Sequence, residues 1–265
     1  MILALAGWHY PQRTISQNMD FFLSHGFDAF SAHGVDFIRA LQIPMENARC
    51  GEIMSRHGKP LTVHYKLPDP NNPEEVALFK IGIPLIAAWQ REYGCLQNLT
   101  FDFWHEPRLI VPFFKEALKI MEGTGVTLAC EDYPLNAASL LLAEENAFLF
   151  ARKDAAILID VGHMFLRFRK EGKAGTLDNF IEAFTQLPFP VAEMHIHNND
   201  GITDRHALLE DGCLPVEAFA RWAAATGFKG VMTIESVPRY HGFEGAEADK
   251  KILRDLSLLR KWIAE

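Results

Sequence analysis

The segment MHIHNNDGITDRHALLEDG, Met194–Gly212, places three histidines and four acids in nineteen residues around two glycines. Imidazole nitrogens and carboxylate oxygens are ligands for divalent cations, and they also serve as general acids and bases. Residues of this kind in it include His195, His197, Asp204 and His206. They follow an apolar run, and residues of the same types close other apolar runs. LTVHY (61–65) finishes near His64, LTFDFW (99–104) runs into His105, and VTLACE (126–131) ends on Glu131. AILID (156–160) ends on Asp160, with His163 three residues on; VAEMHIH (191–197) carries His195 and His197; GVMTIE (230–235) ends on Glu235. Six successive runs therefore close on a metal-ligand type of residue. Carboxylates gathered without counter-charge are costly to bury, and a divalent cation supplies that charge. The pattern predicts a metal centre. Mixed imidazole and carboxylate donors suit Zn or Mn best, then Co or Fe, and Mg less well.

Residues so far apart in the chain meet only if the runs are neighbouring strands. Two more strand candidates, ILALAG (2–7) and DAFSAH (28–33), precede the six, and helix-like stretches lie between strands at 73–93, 109–123, 136–151, 176–186, 215–226 and 244–263. Strand–helix alternation sustained eight times reads as parallel β-structure with crossover helices, and eight units in 265 residues is the count of a (β/α)8 TIM barrel. A single α/β domain spanning 1–265 is expected. A doubly wound open sheet is the second choice, disfavoured because no glycine-rich phosphate loop follows the first strand. In a barrel, functional residues stand at the C-terminal ends of the strands. Side chains alternate faces along a strand, which puts Glu193, His195 and His197 on one face, and gives Glu131 and Glu235 the inward face of their own strands. Asp102 and His105 have opposite parity unless His105 lies past the strand end. The segment 34–60 gives no clear helix ends. The stretch 161–175, VGHMFLRFRKEGKAG, reads as a long basic loop: a mobile lid, a contact surface or a plain solvated connection.

Hydrophobic residues make up 49% of the chain, enough for a sizeable core, and no apolar stretch approaches the roughly 20 residues of a membrane span. The start, MILALAGWHYPQR, reads as lacking a leader. Cys50, Cys95, Cys130 and Cys213 are scattered without a CxxC pair, which suggests a reducing cytoplasm. A net charge of −8 argues against a broad basic footprint for nucleic acid.

On these residues the chain resembles the xylose isomerase-like barrel superfamily, which holds sugar-phosphate isomerase/epimerase-like proteins and the endonuclease IV type of apurinic-site nuclease. IDVGH (159–163) is similar to its Asp-x-Gly-His, HIHNNDGITDRHALLEDG to its His-x-His-Asp-Asn, Asp-x-His and Gly-Glu-Gly series, and TIE (233–235) to its final metal glutamate. The resemblance implies a four-ligand site of Glu131, Asp160, His195 and Glu235, with His195 preferred to His197 because the family ligand is the first histidine of the pair. It implies that His163 contacts substrate or joins a second metal. It maps the extra ligands of the three-metal nucleases onto His64, His105, Asp204 and His206, so that one to three ions per chain are expected. His197, Lys66 and His9 are candidate substrate contacts. The chain departs from the pattern at Asn198, where an Asp is common, at Glu210-Asp211-Gly212, after His64 (Tyr65-Lys66-Leu67-Pro68), and at GWHYPQR. The last two regions supply DNA contacts in the nucleases.

Two chemistries are implied. In the first, a sugar or sugar-phosphate isomerase or epimerase, a metal polarises a carbonyl while Glu131 and Glu235 move a proton through an enediolate and His163 orients the substrate. In the second, clustered metals generate hydroxide for phosphoester cleavage.

Overall fold

The apolar runs pair side by side. The computed structural model describes residues 1–7, 10, 12–102, 107–131, 152–187 and 190–265, with backbone alone at 107, 108 and 110. The strands are β1 (Ile2–Ala6), β2 (Ala29–His33), β3 (Leu61–Lys66), β4 (Leu96–Asp102), β5 (Thr127–Glu131), β6 (Ala155–Asp160), β7 (Val191–Ile196) and β8 (Val231–Ile234). Each pairs in parallel with the next, and β8 pairs with β1, so the eight close into a single barrel. All eight expected strands are present, β4 starting three residues earlier than the sequence suggested. His9, His105 and the expected helix 136–151 lie outside the described residues.

Period-two alternation divides the strand side chains. One face carries Leu3, Leu5, Phe30, Val63, Leu99, Phe101, Ile157, Ile159, Met194, Ile196 and Met232, which belong to the main core with the helices. The other face fills the lumen in layers. Ala4, Ala29 and Val231 form one small apolar cluster, and Ala129, Ala156 and Leu158 another. Strand parity puts Ala192 on the outward face with Met194 and Ile196. It packs against this second cluster instead, because the register shifts between β6 and β7, where Ile157 pairs with Val191 but Leu158 with Glu193.

Among the described residues, nine α-helices surround the barrel: α1 (Ile15–Ser24), α2 (Gly34–Leu41), α3 (Pro44–His57), α4 (Pro73–Tyr93), α5 (Pro107–Met121), α6 (Val161–Lys170), α7 (Leu177–Thr185), α8 (Val216–Ala225) and α9 (Gly245–Ala264). Their ends follow local chemistry. Thr14 and Gln17 form a capping box at α1; Asn72 caps α4, which starts on Pro73 and stops at Gly94 with φ 67°. The segment 34–60 resolves into α2 and α3. None of the described helices is long and apolar enough to cross a membrane.

The expected basic loop at 161–175 is a correction. Residues 161–170 form α6 because Asp160 caps it, accepting the His163 N–H at 2.7 Å, and because Val161, Met164, Phe165 and Phe168 recur at helical spacing and are buried. Its basic residues, Arg167, Arg169 and Lys170, occupy the last turn, where they complement the helix dipole.

Behind β8, α9 carries the buried Asp255. Its carboxylate accepts from Ser236 Oγ (2.9 Å) and from the Leu209 N–H (3.3 Å), joining the residues after β8 to the loop after β7. Burial pushes its pKa up to about 7, against the partial offset of these hydrogen bonds. A folded-state pKa raised above the ordinary 3.8 contributes stability that is present below pH ~4 and lost as pH rises through about 7. Asp255→Asn has no charge to bury. The stability of the variant minus that of the native protein is predicted to rise by up to about 4 kcal/mol from pH 4 to pH 8 in urea melts. Parallel pH profiles would contradict this account.

Candidate metal centre

The strand ends bring the sequence-predicted residues to one mouth. His64 is on β3, Glu131 ends β5, Asp160 ends β6, His195 is on β7, and Glu235 directly follows β8; all five are buried. The ion-pair partners of Glu131, Asp160, Glu193 and Glu235 among the described residues are imidazoles. Glu131 lies 3.1 Å from His163 Nδ1 and 3.5 Å from His64 Nε2; Asp160 lies 3.2 Å from His197 Nε2; Glu235 lies 3.4 Å from His195 Nδ1; Glu193 lies 3.5 Å from His195 Nε2.

Asp204 and His206 reach the mouth on the loop after β7. An antiparallel bridge between Asn198 and Ala207 closes that loop. Gly201 gives this loop backbone freedom, but its polar side chains are spent on backbone. Asn198 donates to the Leu209 carbonyl (2.8 Å) and accepts from the Leu214 N–H (2.9 Å); Asn199 donates to the Gly162 carbonyl (3.0 Å); Asp200 accepts from the N–H groups of Ile202 and Thr203. Gly212 is required here, since a Cβ would come 2.2 Å from Asn198 Oδ1. Asn198 therefore builds the loop, in the place where an acid was expected.

His206 has φ 43°, in the left-handed region, and its ring stacks on His197 with centroids 4.1 Å apart. Its Nδ1–H donates to the Glu235 carbonyl (3.0 Å), which leaves Nε2 facing Asp204 Oδ2 at 3.1 Å. The same Asp204 oxygen is 3.1 Å from His163 Nε2.

Four groups of ligand-type atoms lie within 4.8 Å of one another: His163–His197–Asp204–His206, His64–Glu131–His195, Glu131–Asp160–His163, and Asp160–His197–Glu235. Nine of the twelve expected site residues fall in them; His9 and His105 are outside the described residues, and Lys66 is turned to Glu75 at 3.9 Å. Glu131, Asp160, His195 and Glu235 do not form one group within that radius but are divided among three. His197, expected as a substrate contact, joins two. In the Asp160–His197–Glu235 group every residue offers a buried atom without a hydrogen bond among the described residues: Asp160 Oδ2, His197 Nε2 and Glu235 Oε2. Buried polar atoms are ordinarily satisfied, and a cation satisfies all three at once.

Electrostatics separate the carboxylates. Burial, then neighbouring Asp102, push Glu131 well above the ordinary carboxylate range, and the His163 contact offsets this only in part. For Asp160 burial acts in the same direction, but the charges of His163 and His197 outweigh it and hold the group well below that range. Burial opposes charge on His206, yet Asp204 and Glu235 raise its pKa to about 9.

Two residues were missed from sequence. Asp102 pairs with His64 Nε2 at 2.8 Å; strand parity set it against His105 without deciding between them, and the resemblance mapped a ligand onto His105 alone. Glu193 is buried beneath His195, on the face its parity gave it.

A family model described as the xylose isomerase-like TIM barrel matches residues 20–262. The chain belongs to that family. A curated relative, an uncharacterized protein of Methanocaldococcus jannaschii, is 23% identical over 155 residues; these are 57% of this chain and 49% of the relative, so the match spans about half the relative's length. A xylose isomerase domain protein from Alicyclobacillus acidocaldarius is similar over 100% of this chain and 98% of its own, with TM-score 0.72 and 15% identity. D-psicose 3-epimerase with D-tagatose from Clostridium cellulolyticum H10 is similar over 99% of each chain (TM-score 0.66, 14% identity). An AP endonuclease, family 2, from Brucella melitensis is similar over 90% and 94% (TM-score 0.59, 12% identity). At these identities the likeness is one of fold.

The mouth of this xylose isomerase-like barrel is packed tightly enough to test by substitution. A Cβ on Gly162 would come 2.2 Å from the His197 ring. Gly162→Ala is predicted to cost about 1–3 kcal/mol by overpacking and to lower the melting temperature. An unchanged melt would show that His197 is free to move aside.

Proposed function

We propose that this protein is a divalent-metal-dependent isomerase or epimerase acting on a sugar or sugar phosphate. The observation that carries the reading is Glu131: a buried carboxylate whose pKa is pushed upward, bordering two of the ligand groups. A general base or acid works best when its pKa lies near the working pH. Three buried atoms without a hydrogen bond among the described residues, on Asp160, His197 and Glu235, supply the fit for a cation. The mixed donor set favours Zn or Mn.

Asp160, His197 and Glu235 would hold the ion, with His195, His163, His64, Asp204 and His206 available for further ones. When bound, a divalent cation supplies Lewis-acid polarisation of the substrate carbonyl and makes the neighbouring C–H more acidic. Glu131 takes that proton. Glu235, three strands further round the barrel, returns one from another side. His163, with Nδ1 3.1 Å from Glu131 and Nε2 3.1 Å from Asp204, would orient the carbonyl-side oxygen once its Nε2 exchanges Asp204 for substrate. The polar rim and the acidic net charge fit a small hydroxylated substrate better than a duplex.

One observation favours a second reading. His163–His197–Asp204–His206 forms a ligand group beside the others, as a multi-metal phosphoesterase of the endonuclease IV type would need.

Exchange in heavy water tests the choice. With Mn(II) or Zn(II) and a panel of ketoses, aldoses and their phosphates, the protein is predicted to place deuterium on the carbon next to the carbonyl, read by NMR. Glu131→Gln and Glu235→Gln should each slow this by about 10²–10⁴-fold. No exchange across the panel, together with cleavage of an abasic-site oligonucleotide, would favour the phosphoesterase.

A further inference from the structure

One layer below the ligand groups, Glu193 of β7 is fully buried in the lumen, two residues before His195. It belongs to none of the four ligand groups. Its Oε1 accepts from Thr233 Oγ1 (2.7 Å) and Thr62 Oγ1 (3.2 Å), and its Oε2 from Asn98 Nδ2 (3.0 Å). These donors stand on β8, β3 and β4, so one side chain crosses the lumen and joins four strands. The same Oε1 lies 3.5 Å from His195 Nε2, while the other ring nitrogen, Nδ1, lies 3.4 Å from Glu235 Oε2. The His195 ring thus bridges a carboxylate fixed from below and the candidate centre above.

A metal-binding imidazole offers the lone pair of one nitrogen, and the hydrogen bond made by the other nitrogen decides which. A carboxylate is an acceptor only, so it favours the ring nitrogen beside it carrying the proton. Three hydroxyl and amide donors keep this carboxylate in place, and among the described residues no lysine or arginine pairs with it.

We propose that Glu193 is a positioning residue: fixed by Thr62, Asn98 and Thr233, it holds a proton on His195 Nε2 and so presents Nδ1 to a divalent cation beside Glu235. This rests on the metal-dependent reading above. A glutamine would keep the shape of the side chain but set an amide donor against Asn98, a hydroxyl or His195 itself.

The test uses the whole chain and Zn(II). In zinc-loaded protein labelled with ¹⁵N-histidine, His195 is expected to show a protonated Nε2 and a metal-shifted Nδ1. Glu193→Gln should weaken zinc binding, titrated against a chelating dye, by about 10–100-fold at unchanged stoichiometry. Thr233→Val loosens the carboxylate without removing it; it should weaken binding less, and it carries the test should Glu193→Gln not fold. Coordination through Nε2, native affinity in both variants, or a loss of metal-free stability with no change in affinity would overturn the proposal and leave the metal-dependent reading standing. Native protein that takes up no divalent cation would overturn that reading, and the proposal with it.

Discussion

Carboxylates buried at the mouth of a barrel must be compensated, and in this protein histidines supply the partners. Glu131, Asp160, Glu193 and Glu235 are each ion-paired with imidazoles rather than with lysine or arginine among the described residues. An imidazole can neutralise a carboxylate when protonated and can give up its proton to become a ligand, which an ammonium or guanidinium group does not do in this setting. Compensation by histidine therefore leaves the mouth able to exchange protons for a cation. Asp160 Oδ2, His197 Nε2 and Glu235 Oε2 are ion-paired within this arrangement but make no hydrogen bond among the described residues, and together they form one of the ligand groups.

The surrounding structure serves to hold these groups still. Asp160 both caps α6 and faces the mouth: one oxygen is fixed by the His163 N–H and the other is left to the ligand group. Asn198, Asn199 and Asp200 stiffen the loop that returns Asp204 and His206 to the mouth, and the His206 Nδ1 bond to the Glu235 carbonyl fixes which nitrogen points inward. Below, Glu193 ties β7 to strands on the other side of the lumen. The rigid parts of a barrel thus set both the position and the protonation of its reactive groups.

Much of this was legible in the sequence because period-two alternation and the C-terminal-end rule are strong local signals. Eight apolar runs gave eight strands, and the polar residue at the end of β3, β5, β6, β7 and β8 gave the mouth. What was missed depended on contacts distant in sequence. The basic composition of 161–175 hid an apolar stripe, Val161, Met164, Phe165 and Phe168, whose helix also needed Asp160 as its cap. The closure of the loop after β7 rests on the bonds of Asn198 to residues eleven and sixteen positions away, which no local pattern shows. The parity of Glu193 was readable, but its role depends on Thr62 and Asn98, roughly a hundred residues earlier.

The central claim is that the buried atoms of Asp160, His197 and Glu235 are arranged for a divalent cation. It is tested most directly by an anomalous-difference map of zinc-loaded crystals, recorded at the zinc edge. A peak within coordination distance of those three residues is the predicted result. A featureless mouth, with water or protein groups hydrogen-bonded to Asp160 Oδ2, His197 Nε2 and Glu235 Oε2, would contradict it.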